Sequence, residues 1–152
     1  LMNKYTTEEA AHAYLNGDAA QEQAALFVID LDQFKQINDQ MGHQAGDAAL
    51  EVFGDSLMKL FRANDIVGRV GGDEFVALMK NTCDRRLVAR RAALTCETVR
   101  RTRFRDTGMS LTCSIGIAIC PDGNCSYDNL FRSADEQLYH VKRSGKNGFH
   151  IA

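Results

Sequence analysis

The chain has 152 residues, 45% hydrophobic and 25% charged, with a formal net charge of −2. That is enough length for one domain with its own core and an ordinary balance for a globular protein. It argues against a membrane span, since no apolar run reaches that length, and gives no reason to expect nucleic-acid binding. The expectation is one domain over 1–152, cytoplasmic, without direct membrane contact. A start at Leu1 rather than Met reads as a piece of a longer protein. The five cysteines are odd in number and include no Cys-x-x-Cys, which argues against a disulfide framework or zinc site, and most read as small buried apolar residues.

In chain order, Thr6 and Glu9 have capping-box spacing and open a helix that Asn16-Gly17 ends. Ala24 to Ile29 is a continuous apolar run, expected of a buried strand, and it ends in Asp30-Leu31-Asp32. Asp32 reads as the cap of the next helix. Asp30 belongs to the strand end, where an unpaired charge is costly and a cation relieves the cost. A glycine-broken connection leads to a helix from Asp47, with Leu50, Phe53, Leu57 and Phe61 at helical spacing. Arg62 and Asp65 are three apart and can pair on one face.

Two apolar runs, 66–70 and 75–79, flank Gly71-Gly72-Asp73-Glu74. That reads as a tight hairpin whose glycines supply positive φ and whose tip presents two acids. Asp84 caps a helix to about Arg101, with Leu87, Val88, Leu94 and Val99 facing inward. Eight arginines lie between 85 and 105, on either a solvated face or an anion-binding one. Leu111 to Ile119 alternates with period two, hence a strand. A helix follows over about Tyr127 to Ser144, with Leu130, Ala134, Leu138 and Val141 on one side and Gly145 as its stop. Phe149-His150-Ile151 closes the chain as a short strand.

The core order is β-α-β-β-α-β, the split βαβ pattern of an α+β, ferredoxin-like sheet flanked by helices. There the first two strands run parallel with the third between them. The tip of the hairpin that joins the second and third strands then lies beside the C-terminal end of the first strand. Asp30, Asp73 and Glu74, remote in sequence, converge there without a counter-ion from the chain. One or two Mg2+ ions answer that repulsion, and Mg2+ held by few carboxylates keeps positions for phosphates. Lys35 and Lys142 are phosphate partners in this reading.

Four spaced stretches carry a resemblance over nearly the whole chain. They are Asp30-Leu31-Asp32-x-Phe34-Lys35-x-x-Asn38-Asp39-x-x-Gly42-His43-x-x-Gly46-Asp47, Arg69-x-Gly71-Gly72-Asp73-Glu74-Phe75, Ser114 to Ala118, and Ala134-Asp135-x-x-Leu138-Tyr139-x-x-Lys142-x-x-Gly145-Lys146-Asn147. Together they resemble the GGDEF-domain diguanylate cyclases, with a nucleotidyl-cyclase-like palm and a role in bacterial signalling. The resemblance implies that Asp30, the Leu31 carbonyl, Asp73 and Glu74 hold Mg2+ or Mn2+. Asp73, Glu74 and Lys142 carry catalysis. Phe34, Lys35 and Lys142 line the GTP phosphate pocket, Gly71 and Gly72 also bind GTP, and Asn38 and Asp47 read guanine. Two domains pair transiently, and a 3′-hydroxyl of one GTP attacks the α-phosphate of the other, giving cyclic di-GMP and pyrophosphate. Arg62-x-x-Asp65 matches the family's inhibitory product site in spacing, with Arg90 or Arg91 to complete it. Gln33 and Lys146 stand where the family has an aromatic residue and arginine. The alternatives are a non-catalytic module sensing GTP or cyclic di-GMP, and a cyclase of altered purine choice.

Overall fold

A computed structural model describes residues 1–17, 23–104 and 109–152. Its elements are α1 (Lys4–Leu15), β1 (Ala24–Leu31), α2 (Phe34–Met41), α3 (His43–Leu60), β2 (Ile66–Arg69), β3 (Glu74–Lys80), α4 (Arg85–Arg101), β4 (Arg103–Phe104), β5 (Met109–Ser110), β6 (Cys113–Cys120), α5 (Tyr127–Arg143) and β7 (Gly148–Ile151). Five strands form one sheet in the order β2-β3-β1-β6-β7, and β4 and β5 pair separately. Strand β1 runs antiparallel to β3 and β6, β2 runs antiparallel to β3, and β6 and β7 are parallel. This is the expected split βαβ arrangement, with β7 added at one edge. Arg105 lies outside the described residues.

All eight residues of β1 are buried because the strand is covered on both faces. Alternation divides them. Phe27 and Ile29 face a core with Ile37 of α2, Phe53 and Leu57 of α3, and Val88 and Val99 of α4. Leu26 and Val28 face a second core with Ala11 and Leu15 of α1 and Leu130, Ala134 and Leu138 of α5. Each fully buried large side chain there contributes roughly 1.5–3 kcal/mol of transfer free energy. Asp30 continues the α5-facing stripe beyond Val28. Helix α5 reaches that stripe because residue 116 is glycine. A Cβ there would stand 1.9 Å from the Ala134 carbonyl oxygen and 2.3 Å from the Leu138 nitrogen. The helix therefore lies directly on β6, and its last turn brings Lys142 to the end of β1.

Several local expectations are corrected. The first helix begins two residues before Thr6, so Asn3 caps it: the Asn3 side chain accepts from the Thr6 N–H, and the Thr6 hydroxyl accepts from the Asn3 N–H. Helix α3 starts at His43, before Asp47, directly after Gly42 at φ +88°. Leu87 and Leu94 are 40% and 44% exposed, since the inward stripe of α4 is Val88, Ala92, Cys96 and Val99, stepped by four, four and three residues. The last long helix, by contrast, buries the four expected residues and stops at Gly145 (φ +109°). Cys120 and Cys125 form a disulfide, against the expectation of no disulfide framework. The turn 121–124 brings the end of β6 back to the start of α5. Cys96 and Cys113 are buried free thiols, as expected. No helix among the described residues is long and apolar enough to cross a membrane.

Candidate active site

The carboxyl end of β1 meets the β2–β3 hairpin as the topology requires. Asp30 pairs in register with Glu74, and the Leu31 N–H donates to the Asp73 carbonyl at 3.2 Å. Asp30 and Asp73 lie close enough for each charge to act on the other. The hairpin connection is wider than a two-residue turn: the Val70 and Gly71 N–H groups both donate to the Glu74 carbonyl. Neither Gly71 nor Gly72 has positive φ, contrary to expectation. A Cβ on Gly72 would meet nothing within 4 Å, so that glycine leaves the tip open to approach. The Arg69 guanidinium donates to the Gly71 and Gly72 carbonyls, at 3.0 and 2.7 Å, and staples the tip. Sequence reasoning gave Arg69 no role of its own, although an arginine two residues before a Gly-Gly pair is within reach of both glycine carbonyls.

A second correction concerns charge. The acids do not lack a counter-ion in the chain: the Lys142 ammonium donates to Asp30 Oδ2. Asp30 is nonetheless only half satisfied. It is 7% exposed, and its Oδ1 is buried without a hydrogen-bond partner. Burial pushes its carboxyl up to about 6; Asp73 adds to the rise and Lys142 opposes it. Burial also raises Glu74, with Asp135 adding to it. For Lys142, burial alone acts downward, but the hydrogen bond and charge of Asp30, with Asp73 and Glu74, hold the ammonium above its ordinary range.

Asp30, Asp73 and Lys142 open on a cleft of about 240 Å³, lined also by Leu31, Phe34 and Lys35 together with Asp32, Gln33, Gln36 and Lys146. A buried carboxylate oxygen without a partner, a second carboxylate beside it and a lysine-rimmed opening form a donor set that fits a hard divalent cation and phosphate oxygens. Glu74, Gly71, Gly72, Asn38 and Asp47 do not line this cleft.

Asn38 and Asp47 lie at the α2–α3 corner. The Asn38 Oδ1 is buried without a partner and packs on Gly46, where a Cβ would stand 1.8 Å from it. Asp47, the next residue, is exposed. Asp32 is not a helix cap. Gln33 takes the position before α2, at φ +64°, with no side-chain cap. Asp32 instead accepts from the Ser114 and Thr112 hydroxyls at 2.7 and 2.8 Å and from the Asn147 N–H at 3.1 Å. It thereby ties the end of β1 to β6 and to the segment after Lys142. Residues far downstream supply those donors, so no local pattern announced the role.

Arg62 and Asp65 sit at the opposite end of β3, beside Lys80. Asp65 accepts from the Arg62 N–H, the Lys80 N–H and the Arg62 guanidinium, and that guanidinium also donates to the Lys80 carbonyl. The Asp65 side chain is 1% exposed and that of Arg62 50%. Arg91 rests over the Phe61 ring at 5.9 Å, next to Arg62.

Residues 1–148 match the family described as diguanylate cyclase, GGDEF domain. The chain is 39% identical over 131 residues to the diguanylate cyclase DgcP of Pseudomonas aeruginosa, covering 84% of this chain and 19% of that protein. It is 32% identical over 153 residues to the diguanylate cyclase DgcS of Shewanella oneidensis, covering 97% of this chain and 49% of that one. It thus spans at most about half the length of these two relatives. The GGDEF domain of YfiN (TpbB) from Pseudomonas aeruginosa superposes with a TM-score of 0.87 at 31% identity, covering all of this chain and 96% of that one. With a lysine-rimmed carboxylate cleft at the hairpin tip and a family match over nearly its whole length, this chain belongs to the GGDEF-domain family of diguanylate cyclases.

Proposed function

We propose that the chain is the catalytic domain of a diguanylate cyclase, condensing two GTP into cyclic di-GMP with release of pyrophosphate. The observation that carries this reading is Asp30, buried at the cleft with one oxygen on Lys142 and the other without a partner. Asp30 and Asp73, with the Leu31 carbonyl and Glu74, would hold Mg2+ or Mn2+. When bound, that cation neutralises triphosphate charge and polarises the phosphoryl oxygens. Lys35 and Lys142 take phosphate oxygens, and Lys142 exchanges Asp30 for phosphate as the site fills. Phe34 walls the cleft, and Gly71 and Gly72 let the triphosphate approach the tip. Asn38 and Asp47 take the guanine edge, an amide offering donor and acceptor and a carboxylate accepting from N1–H and N2–H. Glu74, its carboxyl raised, receives the proton of the attacking 3′-hydroxyl.

One domain holds one GTP, so a second copy must face it, and the chain contributes mainly positioning and charge. Arg62, half exposed and oriented by Asp65, offers its guanidinium to product at an inhibitory site, with Arg91, over the Phe61 ring, or Arg90 to complete it. The test is the purified domain with GTP and Mg2+, concentrated or fused to a dimerising partner. The expected result is cyclic di-GMP, absent with Asp73→Asn. Tight cyclic di-GMP binding without turnover under these conditions would instead make the chain a sensing module.

A further inference from the structure

We propose that the loop Cys120-Pro121-Asp122-Gly123-Asn124-Cys125 is a second cation site, selective for a thiophilic divalent ion such as Zn2+ and closed by oxidation. Two thiolates and one carboxylate from six consecutive residues form the site when the cysteines are reduced, and the disulfide excludes the ion. Sulfur and oxygen donors of Cys120, Asp122 and Cys125 all lie within 4.8 Å of one another. They are held there by the fold. Cys120 is the last residue of β6 and is fully buried; Cys125 directly precedes Ser126, the N-cap of α5. Asp122 Oδ1 accepts from the Asn124 N–H at 3.1 Å and lies 3.9 Å from Cys120 Sγ. Gly123, at φ +72°, folds the turn back on itself.

Size and chemistry agree. Metal–sulfur bonds of about 2.3 Å in a tetrahedron separate two sulfurs by roughly 3.8 Å. Opening the disulfide lets the sulfurs part to that distance across a Cα–Cα separation of 6.0 Å, so a small rotamer change suffices. Two thiolates with one carboxylate select zinc-like ions over Mg2+. A cleft lined by Leu15, Asn16, Gly123, Asn124, Cys125, Ser126 and Asn129 gives access to the loop at Cys125. The site is separate from the carboxylate cleft: Cys120 pairs with Ala24, the first residue of β1, while Asp30 stands near its last.

The chemistry balances. A dithiol reductant passes two electrons and two protons to the Cys120–Cys125 bond and leaves as its own cyclic disulfide. On binding, the two thiols release two protons to water and form two sulfur–metal bonds, with the Asp122 carboxylate as third ligand.

The test uses the whole 152-residue chain in an Asp73→Asn background, which disables the other cation site. The protein is reduced, freed of reductant without oxygen, and titrated with Co2+ alone. The expected result is one equivalent bound with thiolate-to-cobalt charge-transfer absorption, displaced by Zn2+. That absorption disappears in Cys125→Ser and after oxidation, returns on reduction, and persists in Cys96→Ser. Asp122→Asn weakens binding about tenfold or more. Cys125 is only part-buried, and the oxidation arm needs no substitution, so a failure of Cys120→Ser to fold leaves the test intact. Absence of the absorption in reduced protein, or its survival in Cys125→Ser or in the disulfide form, overturns the proposal.

Discussion

Asp65 and Asp30 are both buried acids that face a cation from their own chain, and they stand at opposite ends of β3. Asp65 accepts from two backbone N–H groups and a guanidinium. Asp30 accepts from Lys142 on one oxygen, and its other oxygen has nothing. Burying a charge is unfavourable unless hydrogen bonds offset it. A fully satisfied acid is therefore scaffold, and a half-satisfied one keeps capacity for a ligand. The contrast predicts opposite phenotypes.

The largest expected effect is on turnover. Asp30→Asn keeps shape and removes charge, and it should lower cyclic di-GMP formation by about 10³-fold or more, the scale on which preorganised electrostatic contacts act. Its midpoint of urea unfolding should not fall, because a buried charge of incomplete pairing has been removed. Full activity in Asp30→Asn breaks the comparison at its root. Asp65→Ala should do the reverse. It leaves the Lys80 N–H and the Arg62 backbone N–H without their acceptor and should cost about 2–4 kcal/mol in urea unfolding. A cost below about 1 kcal/mol would mean that water replaces the carboxylate and that Asp65 is no clip.

How much of this the sequence disclosed follows the same division. Asp30, Asp73 and Glu74 were legible because alternation and strand order alone decide which strand ends meet. The partnership of Lys142 with Asp30 was not. It depends on how α5 lies on β6, which the close approach at Gly116 sets, and glycine spacing announces no helix position. Asp32 misled because an acid before a helix is locally indistinguishable from a cap, whereas its hydroxyl donors, Thr112 and Ser114, sit on another strand. Leu87 and Leu94 misled because leucine is a stronger apolar signal than Ala92 and Cys96, which define the buried face. The disulfide was invisible because an odd cysteine count says nothing about which pair a turn brings together.

A substitution at Gly46 sharpens the comparison at the nucleotide end. Its Cβ would stand 1.8 Å from the Asn38 Oδ1, so Gly46→Ala must swing the amide aside. The expected result is a KM for GTP raised about 10–100-fold with kcat less affected, the scale of losing a polar contact to substrate. An unchanged KM would remove Asn38 from guanine recognition. Arg62→Ala is milder. The guanidinium is half exposed, so stability should fall by only a few tenths of a kcal/mol, while cyclic di-GMP affinity at the proposed inhibitory site should drop about tenfold. Unaltered product binding, read by calorimetry, would leave Arg62 as part of the clip alone.

The smallest effect is the dependence of stability on pH. The folded Asp30 carboxyl is raised from 3.8 to about 6, by burial first and by Asp73 next, with Lys142 opposing. Between those two values the folded chain binds the proton more tightly than the unfolded chain does. Stability from this group therefore falls as pH rises through about 6 and is recovered on acidification, the opposite of an acid held ionised by a salt bridge. Neighbouring acids titrate too, Glu74 among them, so the readout is the difference between wild type and Asp30→Asn in metal-free buffer. That difference should move in favour of wild type by about 1 kcal/mol or less between about pH 7 and 5. Mg2+ at the proposed site would favour the ionised carboxylate and should flatten the trend. A difference that moves the other way would mean that Lys142 satisfies Asp30 in full, and the contrast with Asp65 would dissolve.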